Sequence, residues 1–100
     1  MRLSTNSIFV IKTAIHETFP GRPDVLLFGS RVDDKKRGGD IDLLIVDDLP
    51  QSQLEFAKIK ALTKIHMKLG EQKIDMVVTP NPKADKRPVV RQAMEQGIIL

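Results

Sequence analysis

The chain has 100 residues, of which 41% are hydrophobic and none is cysteine, and its formal net charge is +3. This length favours a single domain over residues 1–100 that buries a core without disulfides, and the lack of cysteine excludes thiolate metal sites and thiol catalysis. No apolar run is long enough for a signal-peptide core or a membrane span, so we expect a cytoplasmic protein.

Residues 4–19 are predicted to form the first helix. Ser4 or Thr5 can cap its N-terminus, and the Pro-Gly-Arg-Pro segment at residues 20–23 is expected to end it. Its apolar residues recur at helical spacing: Ile8, Ile11, Ile15 and Phe19. This spacing predicts that one side of the helix packs against the rest of the domain.

A short apolar run, a turn and a basic loop come next. The run at residues 24–28 is continuous, which predicts a strand that is buried on both faces. Gly29 and Ser30 end this strand and are predicted to begin a short helix, whose backbone N–H groups favour an anionic ligand. The loop at residues 31–39 contains the basic cluster Lys35, Lys36 and Arg37. A solvated surface and a phosphate-steering role are both open for this cluster.

A second apolar run, residues 41–46, is predicted to be a strand that carries paired aspartates at its start. Asp40 and Asp42 are two residues apart, so their side chains should project from the same face. Neighbouring carboxylates repel each other, and apolar surroundings increase that repulsion. A hard divalent cation such as Mg²⁺, which binds through carboxylates together with substrate phosphates, would relieve it.

Residues 52–69 are predicted to form the longest helix, with Ser52 and Glu55 as a capping box and Gly70 as its stop. One apolar stripe runs along it: Leu54, Ala57, Ala61, Leu62, Ile65 and Leu69. A second face carries Lys60, Lys64 and Lys68. This lysine face is either a solvated surface or a docking surface for RNA or an acidic partner.

The last third of the chain is predicted to add a strand, a helix and an apolar tail. Asp75 lies within the strand at residues 73–79, where aspartate is unfavourable. A structural ion pair could explain it, but beside the aspartate pair an additional metal ligand is the favoured interpretation. The helix at residues 89–96 is expected to pack through Val90, Ala93 and Met94, and the tail at residues 98–100 needs cover from this domain or from another chain. The element order predicts an α+β fold, a small mixed sheet packed with helices.

The segment Gly29-Ser30-Arg31, followed after a loop by Asp40-Ile41-Asp42-Leu43, resembles the signature of the polymerase-beta-like nucleotidyltransferases. Asp75 fits the position of the third carboxylate of that family. The likeness is greatest to the minimal single-domain members that are often encoded beside a helical HEPN-domain partner. The chain departs from the family at Val32 and at Gly39, where many relatives have a small residue and a serine, and these changes bear on the conformation of the loop.

The resemblance implies nucleotidyl transfer by a two-metal mechanism. Asp40 and Asp42 would bind both Mg²⁺ ions, which Mn²⁺ could replace, and Asp75 would complete the ion nearer the attacking group. The phosphates of a nucleoside triphosphate, expected to be ATP, would be held by Gly29, Ser30 and Arg31, with charge support from Lys35, Lys36 and Arg37. The acceptor would be a hydroxyl group, and the family pattern implies a HEPN-type toxin partner, an antitoxin role and an oligomeric assembly.

Two other classes of function remain open from the sequence. The first is a catalytically silent antitoxin or binding module. The altered loop argues for this class, and the intact carboxylates argue against it. A small basic nucleic-acid-binding domain would use the lysine face. The absence of Trp and Tyr argues against this class, because only four Phe remain to stack on bases. Titration with ATP and Mg²⁺ separates the three classes.

Overall fold

A four-stranded mixed sheet packed with three helices is seen in the computed structural model, which describes residues 3–32 and 39–100. The elements in chain order are α1 (Thr5–Thr18), β1 (Val25–Phe28), a 3₁₀ turn (Gly29–Val32), β2 (Ile41–Val46), α2 (Gln51–Leu69), β3 (Ile74–Thr79), α3 (Pro88–Gln96) and β4 (Ile98–Ile99). The predicted α+β class is confirmed. None of the helices in the described ranges combines the length and apolar character needed to cross a membrane.

The strand order of the sheet is β3-β2-β1-β4. Strand β1 is antiparallel to both β2 and β4, whereas β2 and β3 are parallel. A parallel pair cannot be joined by a tight turn, and α2 supplies the crossover between these two strands. The parallel register places Asp42 of β2 directly beside Asp75 of β3.

Both faces of the sheet are covered, which confirms the burial on two sides that the continuous apolar strands predict. Helices α1 and α2 cover one face, where they enclose the larger core with alternate residues of β1, β2 and β3. Helix α3 covers the other face through Val90 and Ala93, which pack with Phe28 and Leu44. The aspartates lie on this second face, because Asp42 alternates with Ile41 and Leu43 of the larger core.

The predicted helix ends agree with the structure at Ser4 and Gly70 but not at Ser52. Ser4 caps α1 by accepting a hydrogen bond from the Ser7 backbone N–H at 3.0 Å, and Gly70 ends α2 with a φ of 76°. The capping box at Ser52 is wrong: α2 begins at Gln51 after Pro50, and no side chain caps it. The start of the helix therefore lies one residue earlier, and Ser52 is within the first turn.

The C-terminal region differs from its prediction in two respects. Residues Ile98–Ile99 form a strand that pairs with β1, and the Leu100 N–H donates to the Val25 carbonyl at 2.9 Å. The sequence did not indicate this strand, because two residues are too few to show an alternating pattern. Met94 is 51% exposed and does not join the packed side of α3, which is formed by Val90 and Ala93 with the partly buried Val89 beside them.

A hydrogen-bonded cluster connects the end of β3 to the helices α2 and α3. Arg87 donates from Nη2 to the Val78 carbonyl at 2.8 Å and to Asp85 Oδ2 at 2.7 Å. Gln51 donates to the same Val78 carbonyl at 2.9 Å. The cluster therefore links the starts of α2 and α3 to one end of the sheet.

We expect Asp85→Asn to lower the free energy of unfolding at pH 7 by about 1–2 kcal/mol, the usual worth of hydrogen bonds to a charged group. The hydrogen bonds from Arg87 hold the pKa of Asp85 well below its ordinary value. Because the folded-state pKa is lowered, the ionised carboxylate stabilises the fold at pH values above the unfolded-state pKa of about 3.9. This stabilisation is lost as the pH falls below that value. The difference between parent and variant should shrink as the pH falls from about 5 to 2 in thermal unfolding followed by circular dichroism. Asp48→Asn, at an exposed residue, is the control, and a difference that stays constant with pH would contradict the assignment.

Candidate active site

The parallel pair β2 and β3 brings the predicted carboxylates together at one end of the sheet. Asp42 and Asp75 are each the second residue of their strand and lie side by side in the register. Phe28, the last residue of β1, is the neighbour of Asp42 on the other side. Asp42 is half-buried between these two strands, whereas Asp75 is exposed because β3 forms an edge of the sheet.

The three aspartates affect one another electrostatically. Burial, then the charges of Asp75 and Asp40 and a hydrogen bond with Asp75, raise the pKa of Asp42 above its ordinary value, and the charge of Lys73 partly offsets the rise. A rise of this origin means that the folded chain disfavours a negative Asp42 beside two other carboxylates. The site therefore holds more negative charge than its own surroundings stabilise, which is the condition in which a bound cation is favoured.

The Gly-Ser turn contacts this carboxylate group directly. Gly29 has a φ of 76°, and a Cβ atom built on it would overlap Asp42 Oδ2, so only glycine lets the backbone pass this close to the carboxylate. The predicted short helix after Gly29 is confirmed as the 3₁₀ turn Gly29–Val32. The glycine therefore lets the backbone of the turn lie directly against the carboxylate of Asp42.

Gly39, one of the departures from the family pattern, is also explained by a close contact. Its φ is 92°, and a Cβ atom there would overlap Ser30 Oγ. Arg31 Nε donates to the Gly39 carbonyl at 3.3 Å, so the two ends of the loop are held together at this point. A serine at position 39 would be strained in its backbone and would displace Ser30, so in this chain glycine is the residue that the loop requires.

A surface cavity of about 390 Å³ borders Asp42 and Asp75, with Phe28, Val77 and Val89 among its apolar walls. Its volume is within the range of small-molecule sites, about 300–1,000 Å³. A larger cavity of about 580 Å³ lies between α1 and α2, on the opposite side of the sheet from the carboxylates. Of these two cavities, the smaller one therefore has both the volume for a small molecule and carboxylates in its lining.

The structure does not bring every predicted site residue into one cluster. Within residues 3–32 and 39–100, no three Asp, Glu, His or Cys side chains are grouped closely enough to hold a metal ion. Asp40 Oδ2 instead lies 3.5 Å from Lys73 Nζ. The predicted phosphate-steering residues Lys35, Lys36 and Arg37 lie outside the described residues.

Lys73 is the charged neighbour of the site that the sequence did not indicate. It immediately precedes β3, and its carbonyl accepts a hydrogen bond from the Ile41 N–H at 3.0 Å, which fixes it beside the start of β2. The only available signal was a basic residue two positions before Asp75. Such a residue is common in exposed turns, and its proximity to Asp40 depends on the parallel pairing of distant segments.

Gly29→Ala and Gly70→Ala form a matched pair of variants, because both glycines have a φ of 76°. Each should lose about 1 kcal/mol of stability or more from its backbone conformation. An added methyl group at Gly70 meets nothing within 4 Å, whereas at Gly29 it collides with Asp42. We therefore expect Gly29→Ala to reduce the activity of this site at least about tenfold and Gly70→Ala to leave the rate per folded molecule within about twofold of the parent. Equal rates for the two variants would show that the approach of Gly29 to Asp42 is unimportant.

Comparison with known proteins gives one informative result. Residues 10–100 match the family model described as a nucleotidyltransferase domain. No curated protein matches the chain. The family match spans all four strands of the sheet, the Gly-Ser turn and the three aspartates. The chain therefore belongs to the nucleotidyltransferase domain family, which supports its placement in the polymerase-beta-like superfamily that its motifs resemble.

Proposed function

We propose that this chain transfers a nucleoside monophosphate from a nucleoside triphosphate, ATP by expectation, to an acceptor hydroxyl and releases pyrophosphate. The observation that carries the proposal is the position of Asp42, directly beside Asp75 in the parallel register and in contact range of the glycine turn at Gly29. Two carboxylates that border a cavity, with a glycine turn packed against one of them, are parts that phosphoryl-transfer chemistry needs, because that chemistry depends on positioning and on charge neutralisation.

The chemistry of the aspartate side chains fits divalent cations, while the described side chains are not grouped as three ligands in this conformation. Asp40, Asp42 and Asp75 offer oxygen ligands, which Mg²⁺ and Mn²⁺ prefer, and the raised pKa of Asp42 shows a carboxylate group with excess negative charge. When bound, such ions would neutralise charge on the triphosphate and lower the pKa of the attacking hydroxyl. These three residues are the ones that we expect to hold them.

The other residues have separate roles in this proposal. Gly29 lets the backbone approach the terminal phosphates, and Ser30 and Arg31 add polar contacts at the same turn. Arg31, with the basic cluster Lys35, Lys36 and Arg37, offsets the phosphate charge.

The acceptor hydroxyl oxygen forms a bond to the α-phosphorus, the bond from that phosphorus to the bridging oxygen breaks, and pyrophosphate leaves. Asp75, which is exposed at the edge of the sheet, accepts the proton of the hydroxyl as general base.

Calorimetric titration of the chain with ATP, in Mg²⁺ and in EDTA, tests the proposal at the binding step. Saturable binding that requires the metal supports it, and transfer of label from α-phosphate-labelled ATP to an acceptor supports the reaction. Binding of equal strength in EDTA would contradict the role of the carboxylates. Binding of nucleic acid in place of ATP would favour the basic-domain alternative.

The lysine face gives that alternative little support. Lys64 Nζ lies 3.6 Å from Glu17 Oε2, and Lys60 Nζ lies 4.6 Å from the centre of the Phe56 ring. Two of the three lysines therefore interact with groups of the chain itself, and Glu17 offsets the charge that Lys64 would present to phosphates. Mg²⁺-dependent nucleotide chemistry remains the proposal that the site geometry favours.

We further propose that the acceptor is presented by a partner protein, expected from the family resemblance to be a helical HEPN-type protein that this chain neutralises as an antitoxin. The described surface has large apolar side chains that are more than half exposed: Phe9, Phe56, Ile59, Met67, Met94 and Ile99. Exposed apolar groups in this number are compatible with a surface that another chain covers.

Co-expression with the product of the adjacent gene should yield a complex that co-elutes in size-exclusion chromatography. We expect the intact mass of the partner to increase by one or more nucleotidyl groups when Asp75 is present, and to stay unmodified when the co-expressed chain carries Asp75→Asn. The complex itself should persist with that variant, because Asp75 belongs to the chemistry and not to the apolar surface. A chain that stays monomeric with its neighbours and modifies a small molecule unaided would contradict the partner proposal.

A further inference from the structure

The backbone of Lys73 is held in place by the sheet, and its side chain extends into solvent beside the aspartates. Its carbonyl accepts the Ile41 N–H at 3.0 Å, so its main chain is held between the starts of β2 and β3. Its side chain is 76% exposed, and the ammonium group lies 3.5 Å from Asp40 Oδ2. The position of the residue is therefore set by the sheet, while its charged group can move through solvent.

The charge of Lys73 acts at the aspartate pair. Its ammonium group pairs directly with Asp40, which lies two residues before Asp42 in the chain. Asp40 is 37% exposed, so the pair is accessible to ions from solvent. In the absence of a metal ion, Lys73 thus supplies part of the positive charge that the carboxylates need.

We propose that Lys73 is a built-in counter-ion that holds Asp40 while the metal site is empty and competes with the divalent cation for that carboxylate. This inference rests on the proposed function, in which Asp40 and Asp42 are metal ligands. The described aspartates do not form a three-ligand group while Asp40 faces Lys73. A cation that binds Asp40 Oδ2 must displace the Lys73 ammonium group from that oxygen, so Lys73 sets part of the cost of this binding.

An exposed ion pair is weak, which suits a group that must be displaced. Such pairs contribute only modestly in solution because water and salt screen them. Their loss corresponds to about a two- to fivefold change in an equilibrium constant. Lys73 would then stabilise the metal-free site without preventing occupation at millimolar Mg²⁺.

The test is a titration of the full chain with Mn²⁺ alone, without nucleotide, followed by electron paramagnetic resonance of the free ion. Lys73→Met should bind Mn²⁺ about two- to fivefold more tightly than the parent, and Lys73→Arg should stay close to the parent because it keeps the charge. Lys58→Met is the matched control. Lys58 borders the same cavity and forms a pair of equal length, 3.5 Å, but with Glu55. Its removal should change the affinity for Mn²⁺ much less.

Thermal unfolding gives a second readout that does not depend on activity. Lys73→Met should unfold at a lower temperature than the parent in EDTA, and the difference should disappear at saturating Mn²⁺. Parental or weaker Mn²⁺ affinity of Lys73→Met would overturn the inference, and so would an equal gain in Lys58→Met, which would indicate a general effect of charge.

Asp40→Asn, measured in the same series, separates this inference from the proposed function. If Asp40→Asn keeps the parental Mn²⁺ affinity, or if the parent binds no Mn²⁺, Asp40 is not a metal ligand and the proposed site fails together with the competition. If Asp40→Asn weakens Mn²⁺ binding while Lys73→Met leaves it unchanged, the proposed site stands and only the role of Lys73 is overturned.

Discussion

Asp42→Asn is expected to reduce nucleotidyl transfer by about 10²–10³-fold and to abolish Mg²⁺-dependent ATP binding, since metal ions supply several kcal/mol of charge stabilisation in such reactions. Asp42 is the carboxylate that is closest to all parts of the site: it lies beside Asp75 in the register, and a side chain at Gly29 would overlap it. An amide keeps the size of the side chain but removes the negative charge that the cation needs. Asp40→Asn should likewise lose Mg²⁺-dependent binding.

The same substitution should raise the unfolding temperature of the metal-free chain. Burial and the neighbouring carboxylates raise the pKa of Asp42, so its negative charge destabilises the fold at neutral pH, and asparagine removes that charge. A loss of function with a gain of stability distinguishes a site residue from one that merely supports the fold. Asp48→Asn, at an exposed residue beyond the other end of β2, is the control and should change neither quantity. Parental ATP binding by Asp42→Asn in Mg²⁺ would refute the site.

Asp75→Asn should separate binding from chemistry. Asp75 lies at the exposed edge of the sheet, where an acceptor can reach it, and general-base catalysis is worth about 10²–10⁴-fold in rate. We expect transfer to fall by about that factor and the affinity for ATP to stay within about threefold of the parent. Single-turnover transfer and calorimetric titration of the same preparation measure the two quantities.

Glu71→Gln provides the control for Asp75→Asn, because Glu71 is an exposed acid in the turn before the same strand. It should transfer nucleotide at the parental rate. Equal transfer rates for the parent and for Asp75→Asn would exclude Asp75 as the base. A parallel loss of ATP binding would instead assign it to the binding of the triphosphate.

Local signals in the sequence were sufficient for most of the elements. The apolar runs predicted β1 and β2 as strands, with β1 covered on both faces, and Ser4 and Gly70 marked helix ends because capping depends on a few adjacent residues. The capping box at Ser52 failed because the same residue types also occur inside first turns. The two-residue strand β4 gave no signal of its own, because its hydrogen bonds are made with β1 and its side chains remain exposed.

Part of the candidate site could likewise be predicted from local signals in the sequence, and the rest depended on the tertiary structure. The spacing of Asp40 and Asp42 by itself predicted that both side chains project from one face, since strand geometry repeats every two residues. Only the tertiary structure decided that Asp75 lies beside Asp42, that Lys73 pairs with Asp40 and that Gly39 must remain glycine against Ser30. Each of these contacts joins residues from segments that are separate in the chain. Their proximity follows from the register of the sheet and the path of the loop, which depend on the packing of the whole fold and not on any local pattern of residues.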